Sequence, residues 1–309
     1  MGHVLVTGGA GFIGSHLTEA LVNRGDRVRV LDNFSSGKPR NLASVENRIE
    51  LIHGDLRNRA DVLEAVQGVD IIFHEAAFVS LPESIEKPRD CFEVNVSGVV
   101  DLFEAARQAS VQRVVTASSA AVYGANPNFP LSETMPTDCR SPYATSKRFN
   151  EDLAKLYSQA FQMQVVALRY FNVYGPRQSP SSMYAAVVPK FIKQLKASKA
   201  PKVYGDGKQT RDFIYIADVV RANLLAAESK EAVGQAINIC SGSETNLLDL
   251  LDILHSIIPN SPDAEFADAR LGDLPRSVGN PARAEDLLGF KAQVTLLDGL
   301  KQCVEGWRG

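Results

Sequence analysis

The sequence has little of several features that would indicate particular classes of protein. Its 309 residues include only four cysteines, at positions 91, 139, 240 and 303, and none of them forms a CxxC pair. We therefore expect free thiols and a reducing compartment. The charges nearly balance, with 33 basic and 36 acidic residues, which gives no electrostatic reason to expect nucleic acid as a partner.

Long apolar stretches and metal-ligand patterns are also missing. No stretch approaches the roughly 18 consecutive apolar residues that a membrane span requires, so we expect no membrane partner. The chain enters a strand pattern at His3 with no basic and apolar region before it, which predicts no secretory signal and a cytoplasmic protein. The five histidines lie outside any metal-ligand spacing, and we expect no metal.

What is present is a globular composition, 45% hydrophobic and 22% charged, in a regular alternation. Short apolar runs predict strands, and longer periodic stretches predict helices between them. The strands are predicted at 4–6, 28–31, 49–52, 69–73, 113–116 and 164–169, and the main helices at 12–24, 89–109 and 142–161. This alternation is typical of a parallel sheet with helices on both faces, so we predict an α/β protein with a doubly wound parallel sheet.

The stretch between the first strand and the first helix is rich in glycine. Residues 7–14 contain a GxxGxxG pattern formed by Gly8, Gly11 and Gly14. A helix N-terminus carries unpaired N–H groups and a partial positive charge, which suit a pyrophosphate, and glycines let the backbone approach it closely. The pattern predicts a dinucleotide site, and a plain glycine-rich turn is the alternative.

Two acidic residues follow the next strands. Asp32 ends the second predicted strand, 18 residues after Gly14. A carboxylate there can accept both ribose hydroxyls of the adenosine half and would repel a 2′-phosphate, so NAD is favoured over NADP. Asp55, after the third strand, is placed to bond the adenine amino group. A cap for the next turn is the alternative for Asp32, and a plain turn residue is the alternative for Asp55.

Tyr143 and Lys147 form a YxxxK pattern, which puts a phenol and an ammonium on one helix face. The lysine and the positive ring of an oxidised nicotinamide both favour the phenolate, so we expect the pKa of Tyr143 to fall from roughly 10 toward 7. Ser119, 24 residues earlier at the end of the fifth strand, can bridge a substrate hydroxyl and the tyrosine oxygen. YxxxK alone is common by chance and a serine alone is typical of a cap. Together with the glycine loop they predict a general-base site.

These motifs resemble the extended short-chain dehydrogenase/reductases, and within them the UDP-glucose 4-epimerase family, over nearly the whole chain. They lie at residues 7–14, 32–33, 54–56, 74–77, 95, 118–124, 143–147, 169–176, 205–207, 211–213 and 272–273. The resemblance implies a Rossmann-type NAD-binding domain at 1–170, with returning segments near 210–240, and a smaller, mainly nucleotide-sugar-binding α/β lobe at 171–309. It also implies a homodimer in which the helix near 89–109 and the Tyr143 helix form a four-helix bundle with their copies.

The resemblance assigns roles by position, with Ser119, Tyr143 and Lys147 as the catalytic residues. Cofactor contacts are implied at Gly8, Gly11, Phe12, Ile13, Gly14, Asp32, Asn33, Ser36, Gly37, Asp55, Leu56, Ala76, Ala77, Asn95, Tyr143, Lys147, Phe171 and Val173. Substrate contacts are implied at Ser80, Ser119, Asn172, Val187, Val188, Arg211, Arg270, Asp273 and Ser277. Two planar arginine forks suit a diphosphate, although either arginine alone is as typical of a surface ion pair.

The implied reaction is inversion at carbon 4 of a UDP-hexose. Tyr143 takes the proton of the 4-hydroxyl, a hydride passes from carbon 4 to NAD, and the 4-keto sugar turns before the hydride returns to its other face. Dehydrating and decarboxylating relatives carry acidic residues just after the position of Ser119, where this chain has Ala120 and Ala121. A methyl group cannot move a proton, so return of the hydride is the predicted outcome.

The position of Ser277 bears on the sugar. In the resembling family a small residue there admits an N-acetyl group and a large aromatic excludes it, so we predict UDP-GlcNAc and UDP-GalNAc as substrates, and also UDP-Glc and UDP-Gal. A neutral surface serine is the alternative. An epimerase of a UDP-uronic acid is a rival, although we find no clear extra cation for its carboxylate. A non-catalytic NAD-sensing protein is a remote rival, since Tyr143 and Lys147 are both retained.

Overall fold

The computed structural model describes residues 2–180, 186–269 and 274–307. The strands in this part of the chain are β1 (His3–Thr7), β2 (Arg27–Asp32), β3 (Ile49–His53), β4 (Ile71–His74), β5 (Arg113–Ser119), β6 (Gln164–Tyr170), β7 (Asn172–Tyr174), β8 (Lys202–Tyr204), β9 (Thr210–Arg211), β10 (Phe213–Tyr215), β11 (Ala236–Ile239), β12 (Thr245–Asn246) and β13 (Glu265–Ala267). The helices are α1 (Phe12–Arg24), α2 (Arg59–Ala65), α3 (Leu81–Glu86), α4 (Pro88–Phe92), α5 (Gly98–Gln108), α6 (Pro142–Ala160), α7 (Val187–Lys196), α8 (Ile216–Glu228), α9 (Leu247–Ile257), α10 (Ala282–Leu288) and α11 (Leu296–Glu305).

Seven strands form one parallel sheet in the order β11-β6-β5-β4-β1-β2-β3. Alternate side chains of each strand enter two different cores. In β1, Val4 and Val6 pack with α1 and α8, whereas Leu5 packs with α2, α5 and α6 on the other face. Burial on both faces explains why the strands are nearly continuous apolar runs, and it confirms the predicted doubly wound sheet.

The strand order reverses between β1 and β4. From β1 the chain builds outward through β2 and β3, then returns to β4 and builds the other half. In open parallel sheets this reversal opens a crevice at the carboxyl ends of the strands, where ligands bind. Thr7, His74 and Ser119 end β1, β4 and β5, so the segments that follow them border this crevice.

Three predicted elements differ from the structure by more than a one-residue change at an end. The predicted strand 69–73 is shifted to Ile71–His74, and the strand predicted to end at 116 continues through two serines to Ser119. The predicted helix 89–109 is divided into α4 and α5 by a π-helical turn, Glu93–Ser97. Such turns insert an extra residue and often occur at functional sites, and this one places the buried side chain of Asn95 toward α6.

The rest of the chain supplies short strand pairs β7–β10, β9–β12 and β8–β13 beside α7, α9 and α11. The segment near 210–240 contributes α8 and β11 to the large sheet layer, so the chain returns to it after β7. The two-domain division itself stays a prediction. Among the described residues, no helix combines the length and apolarity needed to cross a membrane.

Candidate active site

The glycine loop between β1 and α1 is built for close backbone approach. Gly8 has a φ of 69°, and a Cβ on it would lie 2.6 Å from the backbone nitrogen of Ala76. A Cβ on Gly14 would lie 2.2 Å from the carbonyl oxygen of Gly8. Only glycine fits at these positions, and the loop leads directly into the N-terminus of α1, where unpaired N–H groups suit a pyrophosphate.

The carboxylate of Asp32 is held firmly at the end of β2. Its oxygens accept hydrogen bonds from the backbone N–H groups of Ala10, at 2.8 Å, and Phe34, at 2.7 Å. A Cβ on Gly37 would lie 2.8 Å from one of these oxygens, so any larger residue at this position would crowd the carboxylate. This arrangement fits a ribose diol, and the negative charge of Asp32 would repel a 2′-phosphate.

The predicted adenine contact, Asp55, already has partners in the protein. The side chain of Arg57 donates two hydrogen bonds to its carboxylate, the backbone N–H of Arg57 donates a third, and Asn33 donates a fourth at 2.8 Å. The guanidinium of Arg57 holds the pKa of Asp55 well below its usual range, so the group is an anionic acceptor. Contact of Asp55 with the adenine stays a prediction.

Asn95 is fully buried and its amide is used within the protein. Its oxygen accepts from the backbone N–H of Phe78 at 2.7 Å, and its nitrogen donates to the carbonyl of Phe78 and to the hydroxyl of Ser146. The side chain thus joins the loop after β4 to α6. The predicted contact of Asn95 with the cofactor is untested, and the structure shows a positioning role for it.

Ser119 and Tyr143 meet at the crevice. Ser141 caps α6 by accepting from the backbone N–H of Ala144 at 3.1 Å, and Pro142 occupies the first turn, so Tyr143 lies at the helix start. Ser119 ends β5, and its hydroxyl is near enough to the phenol of Tyr143 to lower the pKa of that phenol. The structure therefore brings the predicted serine and tyrosine to the same place.

Lys147 lies on the same face one turn later and is only 3% exposed. Its ammonium donates to the carbonyl of Ala117 at 2.8 Å and lies 5.9 Å from the centre of the Tyr143 ring. Burial lowers the pKa of Lys147 to about 8, because the charged form loses its hydration.

The expected acidification of Tyr143 is not a property of the protein alone. Burial raises the pKa of Tyr143 above its usual value, and it outweighs the hydrogen bond from Ser119, which lowers it. Our expectation counted the charges near the phenol and left out the cost of burying the phenolate. The fall toward 7 stays a prediction for the complex with oxidised cofactor.

Helix α6 is fixed to the sheet by a buried ion pair. Arg169 on β6 donates two hydrogen bonds of 2.7 Å to the carboxylate of Glu151, and Ser118 donates a third of 2.6 Å. Glu151 lies one turn after Lys147, and Ser118 precedes Ser119. The same bonds therefore hold the three predicted catalytic side chains in one arrangement. Sequence reasoning missed this role for Glu151, although a Glu four residues after the lysine, opposite an arginine in an apolar strand, is a visible signal.

A cleft of about 570 Å³ lies beside β7 and α7. Four predicted substrate residues line it, namely Asn172, Val187, Val188 and Arg211, together with Val173, which we predicted as a cofactor contact. Lys190, Lys193 and Lys202 also line the cleft and add positive charge that sequence reasoning did not identify. The cleft is therefore suited to an anionic ligand.

Two other predicted substrate residues, Ser277 and Ser80, are not part of this lining. Ser277 donates its backbone N–H to the carbonyl of Thr210 at 3.2 Å, which places it next to Arg211. Ser80 caps α3 by accepting from the backbone N–H of Glu83. Arg270 and Asp273 lie outside the described residues, so their predicted contacts with phosphate and ribose stay predictions.

Two other predicted cofactor residues, Ala76 and Phe171, lie just after strands β4 and β6. Ala76 donates its backbone N–H to the hydroxyl of Thr7, which ties the loop after β4 to the glycine loop. Phe171 is buried against Tyr123 and Cys240 in a third apolar cluster. Their contacts with NAD are untested.

The chain matches the model of the NAD dependent epimerase/dehydratase family over residues 4–240, and it belongs to that family. Its cofactor is NAD, and the glycine loop and Asp32 are the parts of the structure that fit it. In the described part of the chain, no group of three or more His, Cys, Asp or Glu side chains could hold a metal ion.

Several relatives match along the full length. A UDP-glucose 4-epimerase of Mycolicibacterium smegmatis is 40% identical over 98% of both chains. A solved UDP-N-acetylglucosamine 4-epimerase of Methanobrevibacter ruminantium, in complex with UDP-N-acetylmuramic acid, is 37% identical with a TM-score of 0.95, covering 99% of this chain and 97% of its own. A UDP-glucuronic acid 4-epimerase of Bacillus cereus, solved with UDP-glucuronic acid and NAD, is 32% identical over 98% of both chains with a TM-score of 0.90.

The glycine loop can be tested by Gly14→Ala. The added Cβ would lie 2.2 Å from the Gly8 carbonyl oxygen, so the loop must move. We expect the affinity for NAD, measured by calorimetry after removal of bound nucleotide, to fall at least about tenfold. Gly289→Ala is the matched control, because it strains a positive φ of 62° at the end of α10 in open space. Unchanged affinity in Gly14→Ala, or an equal loss in both variants, would contradict the role of the loop.

Proposed function

We propose that the protein is a UDP-hexose 4-epimerase that acts through a transient 4-keto sugar. The observation that carries the proposal is the grouping of Ser119, Tyr143 and the buried ammonium of Lys147 at the carboxyl edge of the sheet. The cationic cleft lined by Asn172 and Arg211 is suited to a nucleotide diphosphate. The activities named for the relatives agree with this function.

The chain's own residues account for the proton and for the placement of the sugar. Bound NAD supplies the acceptor and donor of the hydride at carbon 4. Tyr143 takes the proton of the 4-hydroxyl, directly or through Ser119, and gives it back to the oxygen of the inverted sugar. Lys147 keeps positive charge beside the phenol during both transfers. The nucleotide provides binding energy that does not depend on which face of the sugar is presented.

The residues after Ser119 favour return of the hydride over elimination. Ala120 and Ala121 form the short turn that follows β5, and the backbone N–H of Ala121 donates to the Ser119 hydroxyl. Neither methyl group can move a proton at carbons 5 and 6 of the sugar. A deoxy-4-keto product is therefore not expected.

The proposed reaction is tested by incubating the purified protein with UDP-Glc, UDP-GlcNAc or UDP-GlcA, without added cofactor, and following the 4-epimer by NMR. We expect inversion of at least one UDP-hexose, and a loss of about 10²-fold or more in Tyr143→Phe, because the general base is removed. Tyr157→Phe on the same helix is the control, since its hydroxyl bonds Glu104 away from the crevice. Accumulation of a deoxy-4-keto sugar, or full activity of Tyr143→Phe, would overturn the proposal.

The size of the sugar subsite is tested at Ser277, which is half-buried next to the Thr210 backbone. We propose that its small side chain admits an N-acetyl group, so Ser277→Tyr should lower kcat/KM for UDP-GlcNAc at least about tenfold while UDP-Glc turnover changes little. Ser277→Ala should leave the ratio of kcat/KM for UDP-GlcNAc to kcat/KM for UDP-Glc unchanged. An equal fall for both sugars in Ser277→Tyr would contradict this role.

We propose a homodimer in which α4–α5 and α6 pair with their copies. Phe149 and Leu156 are exposed two turns apart on one face of α6, and Phe92 is exposed on the adjacent α4. Exposed apolar side chains grouped on neighbouring helices are typical of a protein interface.

The free thiols of all four cysteines support the predicted reducing, cytoplasmic location.

The dimer is tested by light scattering after gel filtration. We expect wild type to run at twice the chain mass of 33.6 kDa, and the double variant Phe149→Glu, Leu156→Glu to run as a monomer, because charge on the face opposes its burial. Leu297→Glu on α11 is the control, as this exposed leucine lies on a different part of the surface. A monomeric wild type, or a dimeric double variant, would contradict the proposal.

A further inference from the structure

The ammonium of Lys147 needs a counter-charge. Burying an ammonium without compensation costs several kcal/mol, and such groups are normally paired or lose their proton. Its backbone partner, the carbonyl of Ala117, is a dipole with no formal charge, and the neighbouring Tyr143 is a neutral phenol whose pKa burial has raised. A further group must therefore favour the charged form of the lysine.

Glu75, the first residue after β4, is held at the same edge of the sheet. Its backbone N–H donates to the carbonyl of Thr7 at 3.1 Å. Its side chain accepts a hydrogen bond of 2.7 Å from the hydroxyl of Tyr170, and that hydroxyl accepts a bond of 2.8 Å from the amide of Asn223. Tyr170 lies directly opposite Ser119 in the pairing of β5 with β6. The carboxyl group is thus bonded to the residue that pairs with the catalytic serine at the end of β5.

Glu75 follows His74, which pairs with Thr116 of β5, and Lys147 donates to the carbonyl of the next residue, Ala117. The charge of Glu75 therefore acts on both catalytic groups of α6. It favours the ammonium of Lys147 and disfavours the phenolate of Tyr143. In return, the positive charge of Lys147 and the hydrogen bond from Tyr170 lower the pKa of Glu75, which burial raises to about 7. Near neutral pH, the charged pair of carboxylate and ammonium and the neutral pair of carboxylic acid and amine are therefore close in free energy.

The other titratable side chains that face this pair are neutral. Burial and the charge of Lys147 lower the pKa of His74 to about 3, so the imidazole is uncharged. Burial raises the pKa of the Cys91 thiol and of the Tyr170 phenol, so neither carries a negative charge near pH 7. Within the described residues, these interactions leave Glu75 as the anion that acts on Lys147.

We propose that Glu75 is a positioning residue for the catalytic pair: its carboxylate, fixed by Tyr170 and Asn223, is the internal counter-charge that keeps Lys147 an ammonium. Glu75 acts through Lys147 and Tyr143 and is assigned no contact with the sugar. The effect of Glu75 on catalysis rests on the proposed epimerase function. The electrostatic coupling between Glu75 and Lys147 exists without turnover.

The sign of the effect follows from the charges. Replacing the carboxylate by an amide removes a negative charge, so the Lys147 ammonium becomes less stable and its pKa falls. The Tyr143 phenolate becomes more stable, and its pKa falls too. Activity needs Tyr143 deprotonated and Lys147 protonated, so the acid limb and the alkaline limb of kcat/KM should both move to lower pH.

The test is the pH profile of kcat/KM for the holoenzyme with the UDP-sugar it turns over fastest. Glu75→Gln keeps an acceptor for Tyr170, and we expect both limbs to shift down by about one pH unit, which is about tenfold lower activity on the alkaline side. Glu75→Asp keeps the charge and should restore much of the wild-type profile. Glu133→Gln is the matched control, because this carboxylate is buried beside the backbone N–H of Asn238, away from Lys147.

A second readout needs no turnover. Ultraviolet difference titration of the NAD-bound protein, with Tyr143→Phe as the blank, reports formation of the Tyr143 phenolate, and we expect it at lower pH in Glu75→Gln. If no sugar is turned over, the epimerase proposal fails while this titration still decides the role of Glu75. A uniform loss of activity at every pH, or a phenolate titration equal to wild type, overturns the counter-charge role.

A further variant covers the case in which Glu75→Gln does not fold. Tyr170→Phe removes the hydrogen bond that lowers the pKa of Glu75, so the carboxyl group stays protonated to higher pH. We expect its profile to resemble that of Glu75→Gln near neutral pH and to return to wild type in alkaline solution, where Glu75 ionises. A profile equal to wild type throughout contradicts the proposal.

Discussion

The candidate site depends above all on the buried ion pair between Glu151 and Arg169. It joins α6 to β6, and the bond from Ser118 to Glu151 extends it to β5. Ser119 follows Ser118 on β5, and Lys147 precedes Glu151 by one helical turn. One set of bonds therefore holds the serine against the tyrosine and the lysine against the strand. Removing one partner of such a pair typically costs about 3–5 kcal/mol, because the other charge stays buried.

Much of the fold was predictable because its signals are local. Burial on both sheet faces makes each strand a short apolar run, and the chain shows this without reference to any distant residue. The glycines of residues 7–14 mark a loop whose backbone must pass close to itself, as Gly14 does against Gly8. The spacing of Tyr143 and Lys147 fixes their common face once the helix is known.

Other features were not predictable because they depend on contacts between distant parts of the chain. The π-helical turn at Glu93–Ser97 accompanies the bonds of Asn95 to Phe78 and Ser146, 17 and 51 residues away. Strand β5 runs on through Ser118 and Ser119, which pair with β6, and Glu151 accepts the hydroxyl of Ser118. Tyr170, whose hydroxyl bonds the carboxyl group of Glu75, lies 95 residues away, so nothing near Glu75 in the sequence indicates that its carboxyl group is fixed.

The burial of Tyr143 shows what counting charges from the sequence leaves out. The crevice that excludes water from the reacting carbon also removes water from the phenolate, and this raises the pKa of the tyrosine. Lys147 is not among the groups that shift this pKa, and the same burial weakens its own charge. An oxidised nicotinamide ring would bring positive charge to the phenol. Under the proposed function, Tyr143 therefore stays protonated until that ring is bound, which confines proton abstraction to the state in which carbon 4 can be oxidised.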